Sequence, residues 1–383
     1  MTTFADLPLD QIRTDCRHYN GYKPCGKADA CPGCGHYAPR GGQILVIKLG
    51  AMGDVLRTKS LLPALKAAHP DSWIAWLTNP GSEPIVRDPL VDEIRAFTPE
   101  GIGALEGRRF RLLLCFDKDA HAVALSARLD AEERRGFAPT PYNTATVWSH
   151  GSIEALRLGL SDDFKFRVNS KSVPRIVHDM AELPYSGAGY GLAVPERSRA
   201  RAAELWARLG LPADAAPVGL NTGCGPVFAT KQWPLGNMVD FVKQAASRPG
   251  PPVLLLGGPR ERPLHAAILD AARGLPAGRV LDAGNDHPLE DFFAVVERCA
   301  AVVTTDSLAM HAAIALRRPV VVFFGPTCEQ EVDLFGLGEK LVTDFPCAPC
   351  YRKECPMPVF CLSRLAGAEV LAAVERVLAA RPA

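Results

Sequence analysis

Short, almost wholly apolar runs recur along this chain, each closed by a turn and followed by a segment of helical periodicity. The run 44–49, Ile-Leu-Val-Ile-Lys-Leu, is the first. It lacks the polar–apolar alternation of a half-buried strand, and it is too short for a buried helix. It therefore predicts a strand covered on both faces, as in a parallel sheet. A turn, Gly50-Ala51-Met52-Gly53, follows, and Asp54 opens a helical pattern through Leu56, Leu61, Leu62, Leu65 and Ala68. Further strands are predicted at 73–77, 91–97 and 111–116, with a helix over 120–129. This strand–helix rhythm is that of a doubly wound sheet.

From Pro139 to Pro195 the pattern is irregular and rich in Pro, Tyr, Asn and Ser. A second series begins at Pro217. Strands are predicted at 218–221, 253–256, 279–281, 302–305 and 320–324, with helices over 235–247, 264–272, 289–298 and 307–316. A last helix is expected over 368–380. Two series need two cores, and 383 residues are enough for both. The division expected is a cysteine-rich appendage at 1–40, a first Rossmann-like domain with linker at 41–195, a second at 196–365, and a helix at 366–383 that crosses back to the first.

A formal charge of +1 provides no basic field for nucleic acid. No apolar run reaches the roughly 18 residues of a membrane span, and the N-terminus lacks the basic–apolar–small order of a secretory signal. A cytoplasmic location is expected, with at most peripheral contact with a membrane.

In open α/β sheets ligands gather at the carboxyl ends of strands. Five loops stand there: 49–54, 222–231, 257–261, 304–311 and 325–328. Gly50 and Gly53 permit a tight turn and close approach to backbone. Asp54 falls in the first helical turn, where the helix dipole keeps a carboxylate ionised and able to accept a hydroxyl proton; the alternative is a simple helix cap. Lys231 precedes Pro234, which can start a helix, so its ammonium is placed to meet a phosphate; the alternative is a solvated surface lysine. Thr305-Asp306-Ser307-Leu308-Ala309-Met310-His311 follows a buried strand and opens a helix whose first amides can bind an anion. Ser307 can hydrogen-bond a phosphate, whereas Asp306 repels one and suits sugar hydroxyls or a cap. His311 lies one turn further on, where a histidine is more often packed or solvated. Gly325-Pro326-Thr327 ends the next strand.

The ordered set Ile44–Val55, Lys231-Gln232-Trp233-Pro234, Leu256-Gly257-Gly258-Pro259, Thr305–His311 and Phe323-Phe324-Gly325-Pro326-Thr327 resembles glycosyltransferase family 9, the ADP-heptose:lipopolysaccharide heptosyltransferases. The resemblance spans roughly residues 43–328. It implies a GT-B fold, two Rossmann-like domains facing a cleft, with nucleotide-sugar on the second and acceptor on the first. It also implies inverting transfer that needs no metal. Asp54 matches the family's proposed base and Lys231 the lysine on the donor diphosphate. Asp306 and the amides after it match the donor turn, and Glu261 matches an acidic residue on the nucleotide ribose. The donor side is then expected to comprise Thr222, Gly223, Lys231, Gly258, Glu261, Thr305, Asp306, Ser307, Leu308, Ala309, Met310, His311, Gly325 and Thr327. The acceptor side comprises Gly50, Met52 and Gly53. Leu308 stands where family members often carry glycine, which bears on the sugar accepted. The expected partners are an ADP-sugar, with another ADP-, UDP- or GDP-sugar as an alternative donor, and a hydroxyl acceptor, by family default lipopolysaccharide core, with protein hydroxyls or a small natural product as alternatives.

Eight of twelve cysteines fall in two groups. Cys16, Cys25, Cys31 and Cys34 have His18 and His36 beside them. Cys347, Cys350, Cys355 and Cys361 form C-x2-C-x4-C-x5-C. In a chain without a secretory signal, clustered thiols read as metal ligands rather than disulfides. Four soft thiolates suit structural zinc, or alternatively iron or an iron–sulfur cluster. The two groups are expected to lie near one another and brace the crossing of the last helix. Cys115 and Cys299 sit in apolar patterns and are expected in the core. Two other classes compete with the transferase reading: a glycosyltransferase fold reused as a metal-stapled binding module, and an iron–sulfur redox protein.

Overall fold

The computed structural model describes residues 7–225 and 227–380. Among these residues, twelve strands form two sheets of six. The first sheet contains β1 (Gln43–Ile47), β2 (Trp73–Thr78), β3 (Glu93–Ala96), β4 (Arg109–Cys115), β5 (Asp130–Pro139) and β6 (Ala145–Val147). Its order is β3-β2-β1-β4-β5-β6, with every pair parallel except β5 and β6. The second contains β7 (Val218–Asn221), β8 (Val253–Leu256), β9 (Val280–Asp282), β10 (Ala301–Thr305), β11 (Val320–Phe324) and β12 (Gly338–Val342). Its order, β12-β11-β10-β7-β8-β9, repeats the same winding in all-parallel form. In each sheet the strand order reverses beside the central strand, between β1 and β4 and between β7 and β10. Those two crevices are where a doubly wound sheet binds ligands.

The apolar runs are where they are because both faces of each sheet are covered. Ile44, Leu45, Val46 and Ile47 are buried, as are Val302, Val303, Val320, Val321 and Val322. The Leu308–Ala315 helix is buried all round except at Leu308. A helix apolar on every side must be an interior one. It packs against the Met52–Thr58 helix, so the helices that follow β1 and β10 meet between the two sheets.

Several expectations need correction. The stretch 139–195 is not irregular throughout. It contains β6, the Ile153–Arg157 and Val173–Ala181 helices and a π-helical turn, Phe164–Val168. The strand β5 is masked in the sequence because four charged residues, Glu132 to Arg135, interrupt its apolar pattern. The Glu196–Arg208 helix and β12 also go unannounced: one is rich in arginine, the other is short and half exposed. The last helix, Gly367–Ala379, packs on the second sheet rather than crossing back. Its Val370, Leu371, Ala373 and Val374 share a core with Trp233, Phe241 and Phe323. The two cysteine groups therefore stand on different sheets. The N-terminal segment docks on the first, through Arg17 paired with Asp92 at 2.6 Å and the Arg17 and Arg40 guanidinium groups over the Trp73 ring. No helix among the described residues is long and apolar enough to cross a membrane.

Candidate active site

The turn after β1 is braced from the neighbouring crevice strand. Asp117, just beyond β4, accepts hydrogen bonds from Leu49 N at 2.9 Å and Gly50 N at 3.3 Å, and pairs with Lys48 at 3.2 Å. Ala51 is the helix cap and its side chain makes no capping bond, so Asp54, third in the helix, is not a cap. Its carboxylate instead faces Arg57 at 2.7 Å. Burial pushes the Asp54 carboxyl up, but the Arg57 and Lys48 cations, joined in acid by protonated His311, outweigh that and hold it down to about 2. Asp54 is thus ionised at every ordinary pH.

Gly53 is required by packing rather than by backbone torsion. A Cβ there would lie 2.5 Å from Cδ2 of His311. His311 in turn shares a 2.9 Å hydrogen bond through Nδ1 with the hydroxyl of Tyr190, a residue of the connection between the sheets. Burial, with the nearby Arg57 charge, pushes His311 down to about 4, so the ring is neutral near pH 7.

Across the cleft, Lys231 ends a short helical turn, Ala229–Lys231. Its Nζ donates to the Asp306 carbonyl at 2.6 Å and lies 3.7 Å from that residue's carboxylate. The lysine is therefore folded in toward the donor turn rather than solvated. Asn221, at the end of β7, ties the loop together. Its amide donates to Gly223 O at 2.6 Å, Thr304 Oγ1 at 3.1 Å and Ser307 Oγ at 3.3 Å.

Two cavities of about 560 Å³ each open from this region. One lies between the sheets. Met52, Gly53, Asp54 and Arg57 line it from the first, and Lys231, Asp306, His311 and Thr327 from the second. The other lies within the second sheet's loops, among Gly223, Gly258, Glu261, Asn285, His287 and Phe292. Cys224, Gly225, Ser307 and Leu308 line both, so the two adjoin there. Glu261 is held by the Gly258 amide at 2.8 Å, and a Cβ on Gly223 would meet its carboxylate at 2.8 Å. Gly223 and Gly257, where an added Cβ would lie 2.7 Å from Glu261, let the loops close around it.

Not every expected side chain reaches the cleft. Thr222 is fully buried, with its hydroxyl bonded to Leu256 O and His265. Met310 is core, and Thr305 Oγ1 is buried without a partner among the described residues. Gly325 lies against the Cys361 sulfur, and Gly50 against Asn79. Conversely, Arg57, Lys165, Phe228, Glu331 and Tyr351 line the interdomain cavity without having been singled out. Arg57 had a signal, an arginine three residues after an aspartate on a helix. The others come from separate loops and had none.

Cys115 and Cys299 are buried, as expected, while Cys224 and Cys328 line the cleft. Cys16, Cys25, Cys31 and Cys34 all line one cavity of about 360 Å³ together with His18 and His36. The Arg13 amide donates to Cys31 Sγ at 3.3 Å. At the other end, Cys347, Cys350 and Cys355 act electrostatically on Cys361 and help push its thiol up, after burial. The donor types fit a soft metal. In neither group are the side chains drawn to ligand distances: among the described residues no three His, Cys, Asp or Glu are set to hold an ion.

Residues 175–360 match glycosyltransferase family 9 (heptosyltransferase). Lipopolysaccharide heptosyltransferase 2 of Salmonella typhimurium is 27% identical over 306 residues, covering 74% of this chain and 83% of its own. Two solved structures share the fold. The family 9 glycosyl transferase of Veillonella parvula superposes with a TM-score of 0.68 at 18% identity, over 89% of this chain and 98% of its own. The ADP-heptose lps heptosyltransferase II of E. coli superposes with a TM-score of 0.65 at 20% identity, over 88% and 98%.

Proposed function

We propose that this chain, a member of glycosyltransferase family 9 and thus a glycosyltransferase, moves a heptose or closely related sugar from an ADP-sugar to a hydroxyl of a lipopolysaccharide-core acceptor. The observation that carries the reading is one cavity lined by Asp54 from the first sheet and by Lys231 and Asp306 from the second. The names of the heptosyltransferase relatives support the choice of donor and acceptor.

The nucleotide occupies the cavity within the second sheet, with Glu261 on the ribose and its diphosphate at the Ser307–Leu308 helix start. The sugar lies where the cavities join, beside Leu308. The acceptor enters from the Gly50–Asp54 side. The anomeric C–O bond to the diphosphate breaks as a new C–O bond forms to the acceptor oxygen on the opposite face. Negative charge grows on the leaving diphosphate, where Lys231 and the helix amides stabilise it. Asp54 takes the acceptor proton late, once bonding to carbon has made the hydroxyl acidic, so a weakly basic carboxylate suffices. Asp54→Ala is expected to lower transfer by about 10²- to 10⁴-fold and leave ADP binding unchanged by calorimetry; near-normal turnover removes Asp54 from the mechanism.

The cysteine groups take no part in that chemistry. In this reading Cys16, Cys25, Cys31 and Cys34, and separately Cys347, Cys350, Cys355 and Cys361, hold structural zinc, with iron as the alternative. Elemental analysis of untagged protein is expected to find at least one transition-metal equivalent. Less than half an equivalent rejects both sites.

A further inference from the structure

Arg57 is an expensive residue where it stands. Its side chain is only 14% exposed, and its Nε is buried with no hydrogen-bond partner among the described residues. A guanidinium withdrawn from water costs several kcal/mol unless charges and acceptors compensate it. An i,i+3 pair on a helix surface returns only a few tenths of a kcal/mol. Helix stability therefore does not account for it.

Its contacts point across the cleft. One terminal nitrogen, Nη2, pairs with Asp54 on its own helix at 2.7 Å. The other, Nη1, reaches the main-chain carbonyl of Glu331 at 3.5 Å, on the opposite wall. That wall is itself fixed. The Glu331 carboxylate accepts from the Tyr351 hydroxyl at 2.7 Å and lies 4.0 Å from Lys165 Nζ. Lys165 stands 3.3 Å from the centre of the Tyr351 ring, and Gln330 donates to the Lys165 carbonyl at 3.2 Å. Lys165 belongs to the π-turn that follows the first sheet, whereas Glu331 and Tyr351 belong to the second, so the same seam is crossed twice.

We infer that Arg57 is a positioning residue for transfer, bridging Asp54 on one cleft wall to the Glu331 carbonyl on the other, so that the base is aimed only when the two walls are together. The inference rests on Asp54 as the base. Arg57 touches neither reacting atom and acts through the carboxylate. Its two ends belong to different sheets, so separating the walls removes one anchor and leaves the Asp54 side chain free to turn.

The charged environment gives the test its second readout. Asp54 is faced by Arg57, Lys48 and His311; Arg57 is faced by Asp54, Glu331, Asp306 and the Tyr190 hydroxyl. Without the guanidinium, the largest charge opposing burial is gone, and Asp54 protonates at a higher pH. His311 loses a repelling cation and also titrates higher, so its contribution has to be separated.

The experiment compares Arg57→Met, Arg57→Lys and wild type in steady-state transfer across pH, and repeats Arg57→Met in a His311→Gln background. Arg57→Met is expected to lower kcat about 10- to 100-fold, the scale of a misplaced catalytic group, with the donor KM within about twofold. The acid limb of kcat/KM is expected to move upward by at least one pH unit in both backgrounds, and Arg57→Lys to recover part of kcat. Unchanged ADP binding shows that the variants fold. A wild-type kcat in Arg57→Met, or a reduced kcat with an unmoved acid limb, overturns the inference. If Asp54→Ala transfers normally, the base assignment fails first; if Asp54→Ala is dead while Arg57→Met keeps the wild-type profile, only the role of Arg57 fails.

Discussion

Two aspartates sit on two strand-to-helix turns of this cleft, and they are held in opposite ways. Asp54 follows β1 and takes its counter-charge from Arg57, three residues along the same helix. Asp306 follows β10 and meets Lys231, which arrives from a loop 75 residues away. The first arrangement is local and reaches outward to the opposite wall; the second is assembled by the sheet and closes inward. A group that must receive a proton from an incoming hydroxyl is better served by the first, where its side chain stays 38% exposed. A group that shapes a pocket for a charged leaving group is better served by the second.

The strongest way to break that comparison is to remove the inward lysine. Lys231→Met takes away the ammonium at the leaving diphosphate and is expected to cost about 10²- to 10³-fold in kcat. A loss confined to the donor KM would instead assign Lys231 to ground-state binding.

A smaller effect lies between the two turns, at His311. Its folded-state pKa is lowered, to about 4, so the unfolded chain takes up the proton first. Stability therefore declines as pH falls from about 6.5 toward about 4, by ~3 kcal/mol from this residue alone, and changes no further below that. Denaturant unfolding at pH 7 and pH 4.5 measures it. His311→Gln is expected to flatten most of the difference, leaving the portion due to His178 and His69, which burial also lowers. An unflattened slope would mean that His311 does not stay neutral at the join.

The same contrast explains what could be read in advance. The buried strands were legible because parallel sheets covered on both faces leave no room for polar residues, and the runs at 44–47, 253–256 and 320–324 show this directly. Asp54, Lys231 and the 305–311 turn were legible because each lies at a strand's carboxyl end. What failed to show was whatever depends on long-range placement. Glu132 to Arg135 hid β5, whose middle is exposed or half-buried and whose buried part, 136–138, comes only after the charged run. Thr222, just past β7, and Met310, in the first turn of a cleft helix, stand in the right segments but turn into the core. Glu331, Lys165 and Tyr351 come from three separate segments and meet only in the folded chain.

Gly53 sets a mechanical property of the whole cleft. With no side chain there, two interior helices approach until His311 fills the space that a methyl would take, and a methyl would overlap it at 2.5 Å. The contact works as a fulcrum placed close to the join, with the cavity rims on the long arms. Lengthening the fulcrum by one carbon forces either the His311 ring or the helix that carries it away from the turn. An alanine at this position would act as a doorstop that presses on the wall behind the donor turn without altering Asp54 or Lys231.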